Sequence, residues 1–66
     1  MNSELDVKAI RLRTGFSQQQ FADLLGVSVS LVESWEQNRR MPSGSSLKLL
    51  KVLDRKPDWK DVLLNA

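Results

Sequence analysis

Apolar residues recur along this chain at helical spacing, and no stretch alternates as a strand would. Phe21, Leu24 and Leu25 stand at i, i+3, i+4, and Leu31, Val32 and Trp35 make a second stripe of the same kind. Upstream, Leu5, Ala9 and Leu12 share a face at i, i+4, i+7, which Val7 and Ile10 extend. Downstream, Leu47, Leu50 and Leu53 form one stripe with Leu49 and Val52 beside it, and Trp59, Val62 and Leu63 give a short final face. The pattern predicts five helices and an all-α chain without repeats.

Polar residues set the boundaries. Helix one is expected from about Glu4 to Arg13, with Asn2 or Ser3 as cap, Asp6 near its positive end and Thr14-Gly15 closing it. Lys8 and Arg13 should point outward. Ser17 opens helix two, and Gln20 three residues on completes a capping box, with Phe16 placed to staple onto Phe21 or a neighbour. Gly26 ends that helix at a position that favours positive φ. Ser28 caps helix three, and Pro42 prevents its continuation. Ser43 or Ser45 caps helix four, about 44 to 55, whose C-terminal half carries Lys51, Arg55 and Lys56. Pro57 suits the first turn of helix five, about 57 to 65.

Helices two and three, joined by a tight turn over residues 17–36, make a helix-turn-helix, with Ala22 small where the two backbones approach. Ala22, Gly26, Val27, Val32 and Trp35 fall where that motif wants a small residue, the turn glycine, an apolar turn residue and two core residues. The run Trp35-Glu36-Gln37-Asn38-Arg39-Arg40-Met41-Pro42-Ser43 resembles the W-E-x-G-x-R-x-P-S pattern of the phage repressor/Cro (XRE) class. Asn38 stands where that class usually has Gly, and Asn tolerates the same left-handed backbone. The resemblance covers roughly residues 5 to 55. Its compact WEQ-x-RR-x-PSG form is similar to short regulators and to HigA-type antitoxins encoded beside a toxin. It implies a compact, five-helix, repressor-like DNA-binding domain spanning residues 1–66.

Composition narrows the chemistry. The chain has 66 residues, so about 60% of the unfolded surface is buried and dimerisation would help a marginal fold. It has no cysteine and no histidine, which removes disulfides, thiolate metal sites and the commonest general base. Eight carboxylates form no catalytic or metal-binding motif, so no metal, cofactor or enzymatic activity is expected. No apolar run reaches membrane-span length, and Pro57 interrupts the leucine-rich, lysine-bearing stretch Leu47-Lys48-Leu49-Leu50-Lys51 that would otherwise suit a membrane surface. MNSELDVK lacks the pattern of a signal peptide, so a cytoplasmic protein is expected, and the resemblance implies a bacterial or phage-encoded one. Net charge is only +2, but Lys8, Arg11 and Arg13 precede the motif and Arg39 and Arg40 follow it, where phosphates would lie.

With Leu31, Val32 and Trp35 inward, Val29, Ser30, Glu33, Ser34 and Gln37 face away. Hydroxyls suit base edges, an apolar group suits a thymine methyl, and Glu33 can accept from cytosine N4. The resemblance likewise makes Val29, Ser30 and Ser34 base-reading positions; a plain solvated face is the alternative. Gln18, first in helix two, is a phosphate contact by resemblance or else a neutral exposed amide, and Gln19 a weaker candidate. Ser28, Gln37 and Arg13 join the expected phosphate contacts. Arg39 and Arg40 either clamp phosphates or serve only as solubility charge. The class commonly pairs an Arg and a Glu at the positions of Arg11 and Glu36, which implies a structural ion pair. Trp35 reads as packing. Trp59, Val62 and Leu63 either cover the core or form a dimer contact, since such proteins bind two half-sites about 34 Å apart. The expected function is a sequence-specific regulator of double-stranded DNA, a dimeric (auto)repressor. The alternative is an antitoxin that binds its toxin and represses its own operon.

Overall fold

The computed structural model describes residues 5–65, and every regular element among them is helical. They are α1 (Val7–Thr14), α2 (Gln18–Leu25), α3 (Val29–Glu36), α4 (Gly44–Arg55) and α5 (Trp59–Leu64). The fold is all-α, as the apolar pattern predicts. Val7, Ile10, Phe21, Ala22, Leu25, Val32, Trp35, Leu50 and Leu53 make one buried core to which α1 to α4 all contribute.

Helix α1 departs from its expected start and, at Leu12 and Thr14, from its expected face, while Val7 and Ile10 are buried as expected. It begins at Val7, because Asp6 takes an extended backbone and its carboxylate accepts the Ala9 N–H at 3.0 Å, making Asp6 the N-cap. The expected caps, Asn2 or Ser3, lie outside the described residues. The inward face is Val7, Ile10 and Thr14, while Leu12 is 59% exposed. The cause is tertiary. Arg11 reaches α3 and Arg13 reaches α4, and the arc between those two side chains holds positions 7, 10 and 14. Leu12 then falls on the opposite side. Thr14 is buried at no polar penalty: its hydroxyl donates to the Arg11 carbonyl at 2.6 Å and accepts the Phe16 N–H at 3.3 Å.

Local rules govern α2 and its turn. Both halves of the capping box are present, with Gln20 N–H to Ser17 Oγ at 3.1 Å and Ser17 N–H to Gln20 Oε1 at 2.9 Å. Gly26 has φ +72°, its N–H bonds the Asp23 carbonyl, and the Val27 N–H bonds the Ala22 carbonyl at 3.0 Å. That is a Schellman termination. It delivers the chain to Ser28, whose hydroxyl accepts the Leu31 N–H at 3.1 Å and starts α3. Ala22 is fully buried and α2 packs directly on α3.

Helix α3 leaves by the same device. Asn38 has φ +61°, its N–H bonds the Trp35 carbonyl at 3.1 Å, and the Arg39 N–H bonds the Ser34 carbonyl at 2.8 Å. Asn38→Gly should therefore melt at the same temperature as wild type or higher, by up to about 1 kcal/mol. Asn38→Val should lose about 1–2 kcal/mol, since a β-branched residue resists the left-handed region. Thermal melts followed by circular dichroism check both; equal melts for Gly and Val would remove the argument.

The last two helices are held less fully. Ser43 occupies the N-cap position of α4, but its side chain makes no capping bond. Leu50 and Leu53 are fully buried, and α4 packs on α1. Helix α5 starts at Trp59 rather than Pro57, since Pro57 and Asp58 form the turn before it. Of its expected inward face only Leu63 packs against the core; Trp59 is 43% and Val62 53% exposed. Lys60 supplies the other anchor. Its Nζ donates to the Thr14 carbonyl at the end of α1 and lies 5.2 Å from the centre of the Phe16 ring.

Candidate nucleic-acid interface

The outward arc of α3 carries Ser30, Glu33 and Gln37, all exposed, with Ser34 half-buried at one edge. Val29 differs from its expected place. It sits about a quarter-turn from the centre of the buried face, is half-buried, and packs against the core. It does not project freely as Ser30 does. The arc offers a hydroxyl, a carboxylate and an amide within two helical turns, which is donor and acceptor chemistry suited to base edges.

The frame that holds this arc is a largely buried ion pair. Arg11 Nε donates to Glu36 Oε2 at 2.6 Å and Nη2 donates to Oε1 at 3.2 Å, a bidentate pair. Arg11 Nη1 also donates to the Phe16 carbonyl at 3.0 Å. The side chains are 12% and 5% exposed. One guanidinium thus ties α1 to the end of α3 and to the segment that enters α2. The hydrogen bond to Glu36 is the main reason the Arg11 pKa lies above its ordinary value; burial opposes it and the charge of Glu36 adds to it. For Glu36, burial alone pushes the carboxyl upward. Hydrogen bonds from Arg11 and Gln18, with the charges of Arg11 and Lys8, outweigh it and hold the carboxyl below its usual range.

Gln18 belongs to this frame. Its Nε2 donates to Glu36 Oε1 at 3.1 Å, which uses one amide proton and leaves the second. The half-buried side chain is fixed at the N-terminal end of α2, where backbone N–H groups are free of intrahelical partners. Gln19 is exposed, and its Nε2 bonds Asp23 of its own helix at 3.0 Å. Ser28 remains exposed, its oxygen engaged in capping and its proton available.

The basic candidates separate into two kinds. Arg39 and Arg40 are exposed on the loop after α3, with no ion pair among the described residues, and both backbone N–H groups are anchored on the Ser34 carbonyl. Arg13 instead forms an ion pair with Asp54 of α4, so its charge is already met inside the fold. A phosphate would have to compete with Asp54 for it.

Sequence reading did not find the Gln18–Glu36 bond, the Arg13–Asp54 pair or the Lys60 anchor. Each joins residues at least 18 apart in the chain, and nothing local marks them. The buried Thr14 had a weak signal, a hydroxyl-bearing residue at i+7 from Val7 just before a helix-ending Gly. Among the described residues no cluster of His, Cys, Asp or Glu could hold a metal ion, and no helix is long and apolar enough to cross a membrane.

Comparison with known proteins gives this geometry a family. Residues 7–60 match the family model described as helix-turn-helix. The chain is 38% identical over 52 residues to an uncharacterized HTH-type transcriptional regulator, YiaG, of Escherichia coli K12, a match covering 79% of this chain and 54% of that protein. It is also 38% identical over 53 residues to antitoxin HigA-2 of Vibrio cholerae, covering 80% of this chain and 51% of the relative. The chain thus spans about half the length of the curated relatives it matches. A capped helix, a left-handed turn at Gly26 and a second capped helix lie inside the matched span, and this chain belongs to the helix-turn-helix family of XRE type.

Proposed function

We propose that the protein is a sequence-specific regulator of double-stranded DNA that lays α3 in the major groove and acts as a dimeric autorepressor. The observation that carries this is the exposed arc Ser30, Glu33 and Gln37, held on a helix whose far side is buried and whose end is fixed by the Arg11–Glu36 pair. A helix used only for packing gains nothing from such immobilisation of its polar face. A groove-reading helix does, because misplaced donors lose their base partners. In this reading Ser30, Glu33 and Ser34 meet base edges, and Val29 contributes apolar contact only from the edge of the arc. Gln18, Gln19, Ser28, Gln37, Arg39 and Arg40 meet phosphates, with Gln18 pre-oriented by Glu36. Arg13 is a secondary phosphate contact at most.

The test is fluorescence anisotropy on the duplex just upstream of this protein's gene, against a scrambled duplex, at several salt concentrations. Ser30→Ala should cost about 1–3 kcal/mol on the native duplex and little on the scrambled one. Arg39→Ala should weaken both and reduce the salt slope by about 1. Equal weak binding to both duplexes by wild type, erased by modest salt, would count against specific autoregulation.

A second reading has a specific observation behind it. The match to antitoxin HigA-2 supports an antitoxin that binds a toxin and represses its own operon. Co-purification with the product of the adjacent gene separates this from a stand-alone regulator.

A further inference from the structure

We infer that Lys60 of α5 is a positioning residue for DNA contact: by pinning the junction between α1 and α2 it fixes the first turn of α2, and with it Gln18, for the phosphate backbone. The DNA half of this inference rests on the DNA-binding reading above.

Thr14 to Phe16 carry the chain from the end of α1 to the Ser17 cap, and two cations hold them. Arg11 Nη1 donates to the Phe16 carbonyl at 3.0 Å. Lys60 Nζ donates to the Thr14 carbonyl and stands 5.2 Å from the centre of the Phe16 ring. That carbonyl is among those α1 leaves without an intrahelical partner at its negative end, so a cation suits it. Lys60 is half-buried there, on a helix that packs against α2 as well as α4. Its neighbours Trp59, Asp61 and Val62 are exposed.

The turn that follows the junction is the one expected to meet phosphate. Ser17 starts α2, whose first N–H groups, those of Gln18 and Gln19, have no intrahelical acceptor. Gln18 keeps one amide proton after bonding Glu36 at 3.1 Å. Glu36 fixes the tip of the Gln18 side chain, but the backbone beneath it is placed by the junction. Donors aimed at one phosphate lose it when their turn shifts. Lys60 therefore governs affinity for DNA without touching it.

Lys60→Met keeps the apolar stem and removes the charge and the donor. Anisotropy should show both duplexes bound about three- to tenfold more weakly, as for one lost contact, with discrimination and salt slope unchanged. Lys60→Arg, which keeps a cation and a donor, should bind as wild type. In a Gln18→Ala background Lys60→Met should cost much less, since the contact it positions is already gone. Amide hydrogen exchange gives a readout without DNA. The Gln20 and Phe21 N–H groups should exchange faster in Lys60→Met while Val32 keeps its wild-type rate, whereas a general loss of stability speeds all three. Dichroism checks folding, and if Lys60→Met unfolds, Phe16→Leu removes the ring beneath Nζ and should move the same readouts.

Wild-type binding by folded Lys60→Met, additive losses with Gln18→Ala, or exchange accelerated equally everywhere overturns the inference. A salt slope reduced by about 1 overturns it too, because Lys60 would then meet a phosphate itself. If wild type binds neither duplex, the DNA reading fails. Faster exchange confined to the start of α2 then still supports Lys60 as the anchor of that turn, and unchanged exchange overturns both.

Discussion

Replacing Glu36 with alanine is expected to destabilise the fold by about 3–5 kcal/mol. Its side chain is 5% exposed and its partner Arg11 12% exposed, so truncation strands a guanidinium that water cannot reach well. Gln18 loses its acceptor in the same step. Domains hold roughly 0.05–0.15 kcal/mol of stability per residue, about 3–10 kcal/mol for a chain of this size, so the loss removes a large fraction of the total and unfolds the variant outright if the wild type lies at the low end. Urea titration followed by tryptophan fluorescence, to which Trp35 and Trp59 both contribute, and helical dichroism reads the change. Arg11→Met combined with Glu36→Leu should lose much less, since removing both charges leaves none stranded. A wild-type melt for Glu36→Ala would mean that water or another group compensates Arg11.

The same pair makes stability pH-dependent in a defined direction. The Glu36 carboxyl is held below its ordinary range in the folded chain, against about 4.3 when unfolded. Its contribution is fully present above the unfolded value. As pH falls, the unfolded state takes up the proton first, and the contribution drains away until the folded value is passed. Stability should therefore fall below about pH 4, and Glu36→Gln should show a shallower acid limb than wild type.

What was legible in the sequence was local. Ser17 and Gln20 three residues apart, Gly26 after an apolar stripe and Ser28 before another each specify a backbone event within a few residues. The Trp35-to-Ser43 run carried the family, and Asn38 kept the left-handed exit that glycine would supply. The face of α1 was legible in part: Val7 and Ile10 are buried and Leu5 packs against the core as expected, but Leu12 is exposed and Thr14 turns inward instead. Arg11 and Arg13 decide between them by reaching across space. For the candidate interface, the 3.6-residue period marked the Ser30 arc, but it could not place Val29, which lies on the boundary between inward and outward. Nor could it show that Gln18 is held by Glu36 rather than simply exposed, since that bond exists only once α2 and α3 are packed.

Truncating Phe21 to alanine should cost about 3–5 kcal/mol, comparable to the loss at Glu36 but by a different route. Phe21 is fully buried and is the largest side chain without exposure. No rearrangement of the short helices around it can fill the volume of a ring, and dispersion contacts on all sides are lost together. The variant's DNA behaviour then separates fold from contact. If the folded state alone binds the operator, duplex at about 100 times Kd adds roughly 2.7 kcal/mol, enough to recover much of the lost helicity. A scrambled duplex should recover far less. Ser30→Ala should show the opposite pattern, a wild-type melt with lost discrimination, because Ser30 is exposed and its hydroxyl makes no hydrogen bond among the described residues. A Phe21→Ala melt equal to wild type would overturn the core as described, and recovery by both duplexes alike would show that binding senses only the charge of DNA.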